Sequence, residues 1–103
     1  HHVPNGGKRD AATAVALKRQ GVKAGVPDIV LPAPRAEYHG LYIELKAGNN
    51  TTTAKQKRWL KFLRQQGYYT AVCYSWRLAA ELIERYLLHT EELAKEQETI
   101  TMR

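Results

Sequence analysis

Leu41-Tyr42-Ile43-Glu44-Leu45-Lys46 is the stretch on which the fold turns. Its alternation predicts a β-strand, with Leu41, Ile43 and Leu45 on one face and Tyr42, Glu44 and Lys46 on the other. A strand this rich in apolar residues belongs in the middle of a sheet, where burial of Glu44 and Lys46 is costly unless they are paired. Upstream, Gly25-Val26-Pro27 breaks the chain. The run Ile29-Val30-Leu31, ended by Pro32 and Pro34, predicts a short strand with Asp28 at its mouth. Residues 33–40 make a turn, so a hairpin-like return brings Asp28 alongside Glu44.

Working outward, Lys8 to Gln20 reads as a helix stopped by Gly21. After the polar loop Ala47 to Thr52, a helix is expected from about Ala54 to Gln66. Thr53 and Gln56 have the spacing of a capping box, and Gln56, Trp59, Leu60 and Leu63 share one face. Tyr69 to Tyr74 predicts a third strand. Trp76 to about His89 predicts a helix with Ala79, Leu82, Ile83 and Tyr86 inward, and Trp59 and Trp76 are both expected in the core. Residues 90–103 are polar and read as a frayed helical extension. The expectation is one α/β domain over 1–103, a small mixed sheet flanked by helices, with its core at about 3–88.

The chain has 103 residues, 16 Lys and Arg against 10 Asp and Glu, and a single cysteine. One cysteine excludes an internal disulfide framework. No apolar run reaches the roughly 20 residues of a membrane helix, and no secretory signal stands at the start. These features predict a cytoplasmic protein (of the host cell, for a viral one) with no membrane partner. Residues 1–70 hold 12 basic and 4 acidic side chains, whereas 71–103 hold 4 and 6. A basic excess confined to one part of the chain suits a polyanionic partner, and a solvated lysine-rich surface explains it equally well.

Two carboxylates converging as Asp28 and Glu44 do need a cation between them. All-oxygen ligation favours Mg²⁺ or Mn²⁺, with the Leu45 backbone carbonyl as a further ligand. Lys46 would orient or deprotonate a bound water, or stabilise the transition state at phosphorus. The plain alternative makes Glu44 and Lys46 the solvent face of an amphipathic strand and Asp28 a turn cap. For Gln56 the alternatives are the capping box, or a hydrogen bond to the attacking water, the metal shell or a phosphate. Lys55, Lys57 and Arg58 beside a helix N-terminus can receive phosphate, as can Lys8, Arg9, Lys18, Arg19 and Lys23 before Asp28. Cys73 has no partner pattern and reads as a small buried strand residue.

Pro27-Asp28 followed by Glu44-Leu45-Lys46 resembles the PD-(D/E)XK nuclease superfamily. Pro4-Asn5-Gly6-Gly7-Lys8-Arg9, Gly21 to Asp28, Gly40 to Lys46 and Gln56 together resemble its virus-type replication-repair nuclease (VRR-NUC) domain. The resemblance covers about residues 3–88. It implies a restriction-endonuclease-like core, Asp28 and Glu44 as metal ligands, Lys46 as catalytic lysine and Gln56 as an additional motif residue. It further implies Mg²⁺- or Mn²⁺-dependent, structure-selective cleavage of DNA, and a homodimer acting on branched DNA such as Holliday junctions. The sequence departs from the pattern at one point: such domains commonly carry an acidic ligand on an earlier helix, and Asp10 is the sole acid before Asp28. A DNA-binding module with this fold and little or no catalysis is the alternative that this departure favours.

Overall fold

The computed structural model describes Leu17–Lys18, residues 25–93 and residues 95–103. Five strands form one mixed sheet: β1 (Leu17–Lys18), β2 (Ile29–Leu31), β3 (Leu41–Leu45), β4 (Tyr69–Cys73) and β5 (Ile100–Met102). They lie side by side in chain order. β1, β2 and β3 pair antiparallel, and β3, β4 and β5 pair parallel. The hairpin-like return is present, with Ile29 opposite Ile43 and Leu31 opposite Leu41. Parallel pairing requires crossovers, and helices α1 (Ala54–Gln65) and α2 (Trp76–Leu88) provide them, with the single turn α3 (Thr90–Leu93) before β5.

The pleat sorts the sheet into two faces. Leu41, Ile43, Tyr69, Ala71 and Cys73 pack on Ala79, Leu82, Ile83 and Tyr86 of α2, the helical stripe read from the sequence. The other face carries Glu44, Thr70 and Val72 against α1, whose Leu60 and Leu63 are buried. All of β4 is buried, as a central strand covered on both faces must be. Thr53 and Gln56 close the expected capping box, each side chain bonding the other's backbone amide. After α1 the chain turns at Gly67, where φ is +95° and an added Cβ would lie 2.6 Å from the His39 ring. Both backbone sterics and crowding therefore require glycine there.

Three expectations are corrected. Leu17 and Lys18, placed in a helix from Lys8 to Gln20, form strand β1; the rest of that helix lies outside the described residues. Residues 90–103 are no frayed helix: α3 brings Leu93 into the core, and Ile100–Met102 adds a strand beside β4. Trp76 is 51% exposed, because it opens α2 directly after the N-cap Ser75, before the helix beds onto the sheet. Trp59 is half-buried, stacked edge to face on the exposed Phe62.

Candidate active site

The antiparallel register of β2 and β3 sets Asp28, just before β2, beside the end of β3. Its Oδ2 accepts a hydrogen bond from the Leu45 amide at 2.9 Å. This fixes one carboxylate across the strand gap. The contact made by Leu45 is through its amide; the expected role of its carbonyl is untouched by it. Glu44 rises from the opposite side of β3 to the apolar core and is only 3% exposed. Gln56, in the first turn of α1, donates from Nε2 to Glu44 Oε2 at 2.9 Å while its Oε1 holds the Thr53 amide. The two roles weighed for Gln56 are thus compatible, since one end of the amide caps the helix and the other reaches the buried carboxylate.

Lys46 lies on the same face, its Nζ 3.9 Å from Glu44 Oε2 and its side chain 14% exposed. Glu44 Oε1 is buried with no hydrogen-bond partner. Burial, reinforced by the negative charge of Asp28 and opposed by the positive charge of Lys46, pushes the Glu44 carboxyl up to about 7. A solvent-facing Glu-x-Lys pair would show none of this, so the plain reading of β3 as an amphipathic surface strand is set aside. What the fold assembles is a pair of carboxylates with an orphaned oxygen, a nearly buried ammonium and a fixed amide.

Among the described residues no group of three or more His, Cys, Asp and Glu side chains converges. Asp28 and Glu44 are therefore the whole acidic complement there, and Asp10 lies outside those residues. Lys8, Arg9, Arg19 and Lys23 lie outside them too, and Lys18 is placed by its backbone alone. Lys55, Lys57 and Arg58 are exposed on α1. Tyr42 shares the Glu44 face and stacks edge to face on Tyr68. His39 is exposed. Cys73 is buried, which pushes its thiol up to about 12 and excludes it as a nucleophile at neutral pH.

Arg64, on the basic side of α1, has a larger structural part than its position on the helix suggests. Its guanidinium donates to Thr70 Oγ1, the Thr70 carbonyl, the Tyr38 hydroxyl and the Glu98 carbonyl, and it lies over the Tyr69 ring at 4.6 Å. It ties α1 to β4 and to the segment entering β5. Its place three residues after Lys61 gave no sign of this, because the partners come from distant parts of the chain.

The family model described as the VRR-NUC domain matches residues 3–76, a span that contains Asp28, Glu44, Lys46 and Gln56. A solved structure described as a VRR_NUC domain protein is similar at 36% identity and a TM-score of 0.61, covering 87% of this chain and 67% of that one. No curated protein matches the chain.

Proposed function

The chain belongs to the VRR-NUC domain family and carries its nuclease-type fold, and from that premise we propose that it is a metal-dependent DNA endonuclease selective for branched structures, Holliday junctions among them. The observation that carries the reading is the orphaned Glu44 Oε1 facing a second carboxylate, since a buried acidic pair with an unfilled acceptor suits a hard cation. Asp28 and Glu44 would hold Mg²⁺ or Mn²⁺, with the Leu45 carbonyl as a third oxygen. Bound there, the ion supplies Lewis-acid chemistry at a phosphodiester and lowers the pKa of a coordinated water.

The chain's own residues do the positioning. The Leu45 amide keeps Asp28 turned toward the site, and Gln56 keeps Glu44 from swinging away. Lys46 puts a positive charge where negative charge develops on the phosphoryl oxygens, in a site with little water to screen it. Lys8, Arg9, Lys18, Arg19, Lys23, Lys55, Lys57 and Arg58 would bind the DNA backbone. The small domain offers limited contact area to a branched substrate, which favours action as a homodimer.

The test is incubation with an end-labelled four-way junction with and without Mg²⁺ or Mn²⁺. Cleavage that needs the metal and vanishes in Lys46→Ala, with junction binding retained, is the expected result. Binding without cleavage at any metal concentration supports the non-catalytic DNA-binding alternative and refutes the nuclease reading.

A further inference from the structure

Strand β4 turns Tyr69, Ala71 and Cys73 into the core against α2. Side chains alternate along a strand, so Tyr74, the residue after β4, falls on the opposite face with Glu44. The ladder continues one step past the strand ends: the Lys46 amide donates to the Cys73 carbonyl at 3.0 Å, and the Tyr74 amide to the Met102 carbonyl at 3.0 Å. Glu44 and Leu45 are in register with Val72 and Cys73, so Lys46 stands beside Tyr74, one strand spacing or about 4.8 Å away. By the same count Arg103 stands on the other side of Tyr74. The three form a row across the ends of β3, β4 and β5.

The tyrosine is engaged at its ring and at its hydroxyl. Arg103 lays its guanidinium over the ring, 4.0 Å from the centroid. The hydroxyl donates to the Asn50 carbonyl at 2.7 Å. Asn50 lies in the loop of residues 47–52, which joins Lys46 to Thr53, the N-cap of α1. That loop has little else to hold it. Residues 47–51 are exposed, and a Cβ added at Gly48 would meet nothing within 4 Å. Its own turn is closed by the Asn50 amide on the Ala47 carbonyl at 3.1 Å. Among the described residues, the bond from Tyr74 is the one hydrogen bond that ties the loop to another part of the fold.

Both ends of the loop carry groups of the candidate active site. Lys46 precedes it, with Nζ 3.9 Å from Glu44 Oε2, and Gln56 follows it in the first turn of α1, 2.9 Å from the same oxygen. A pin at the middle of a connection restrains both of its ends. Such restraint counts, because a misplacement of ~1 Å at a reacting group can cost on the order of 100-fold in rate. We propose that Tyr74 is a positioning residue of this site: through Asn50 it pins the connection between Lys46 and Gln56, and Arg103 steadies the ring that does so. The role rests on the nuclease reading. It enlists Arg103, outside the matched stretch 3–76, in support of the site.

Tyr74→Phe keeps the ring and its contact with Arg103 and removes the hydroxyl alone. Amide exchange by NMR in EDTA reads the pin without any metal, at Asn50 and Thr53, whose amides are bonded to the Ala47 carbonyl and to Gln56 Oε1. Tyr74→Phe is expected to speed exchange at both about tenfold and to leave β3 and β4 unchanged. Hydrolysis of bis(p-nitrophenyl) phosphate with Mn²⁺ reads the consequence: kcat should fall about tenfold, with KM within about twofold of wild type. Arg103→Ala should reproduce both effects at about threefold, and Arg103→Lys, which keeps a cation over the ring, should restore them. Unchanged exchange in Tyr74→Phe, an equal rise throughout β3 and β4, or a wild-type kcat despite a loosened loop would overturn the role. Hydrolysis by wild type and Tyr74→Phe alike overturns the assignment of Tyr74 alone. No hydrolysis by wild type, with the loop loosened in the variant as expected, counts against the nuclease reading and takes the positioning role with it.

Discussion

Replacing Glu44 with glutamine should make the metal-free protein more stable at alkaline pH, and by a computable amount. Burial and Asp28 hold the Glu44 carboxyl near 7 in the folded protein, against an ordinary value of 4.5. That displacement corresponds to roughly 3 kcal/mol, at ~1.4 kcal/mol per pH unit. Well below pH 4.5 the acid is protonated in both folded and unfolded chains and contributes nothing. Between pH 4.5 and about 7 the folded chain keeps a proton that the unfolded chain has released, so unfolding free energy falls as pH rises. Above about 7 the whole loss is in place. Glutamine has no charge to desolvate, and its carbonyl oxygen can still accept the bond from Gln56 Nε2. Urea denaturation in EDTA at about pH 5 and about pH 8 measures the effect as the difference between variant and wild type, which cancels the other titrating groups. The variant's advantage should grow by about 2–3 kcal/mol between the two. A difference that stays constant with pH would refute the buried, carboxylate-paired state of Glu44.

Three further outcomes follow from the same geometry. Asp28→Asn keeps an acceptor for the Leu45 amide, so its urea midpoint should stay near wild type while metal-dependent junction cleavage disappears and DNA affinity in EDTA holds or rises; a strong loss of that affinity would contradict a ligand role. Gln56→Ala removes the return bond of the capping box and the tether on Glu44, and should cost about 1 kcal/mol of stability with a larger proportional fall in kcat than rise in KM, read by denaturation and steady-state kinetics. Arg64→Ala strands several partly buried acceptors and should lower the unfolding free energy by about 2–4 kcal/mol in urea, whereas Lys61→Ala on the next turn should change it by less than about 0.5 kcal/mol.

What could be read from the sequence was whatever local physics decides. Leu41 to Lys46 alternates cleanly, and Pro27 and Pro32 bracket the neighbouring strand so tightly that the position of Asp28 beside Glu44 followed from chain reversal alone. Thr53 and Gln56 announced their helix start through a spacing that only a first turn satisfies. The features that escaped are those set by distant partners. Ile100-Thr101-Met102 is too short to signal a strand without β4 beside it, and Leu17-Lys18 sits within an apolar spacing that also suits a helix. Trp76 has the size of a core residue, but its place at the first position of α2 leaves half of it in solvent. In the site, Asp28, Glu44 and Lys46 were legible because strand period and hairpin pairing place them; the orphaned Glu44 Oε1 and the double use of Gln56 appear only once α1 packs on the sheet.

The most direct measurement is anomalous diffraction at the manganese edge from crystals grown at about pH 8 in Mn²⁺. A single strong peak touching both an Asp28 oxygen and Glu44 Oε1 is the expected result. Manganese bound elsewhere on the chain, with Asp28 and Glu44 left bare beside it, would contradict the claim that these two acids were folded together to hold an ion.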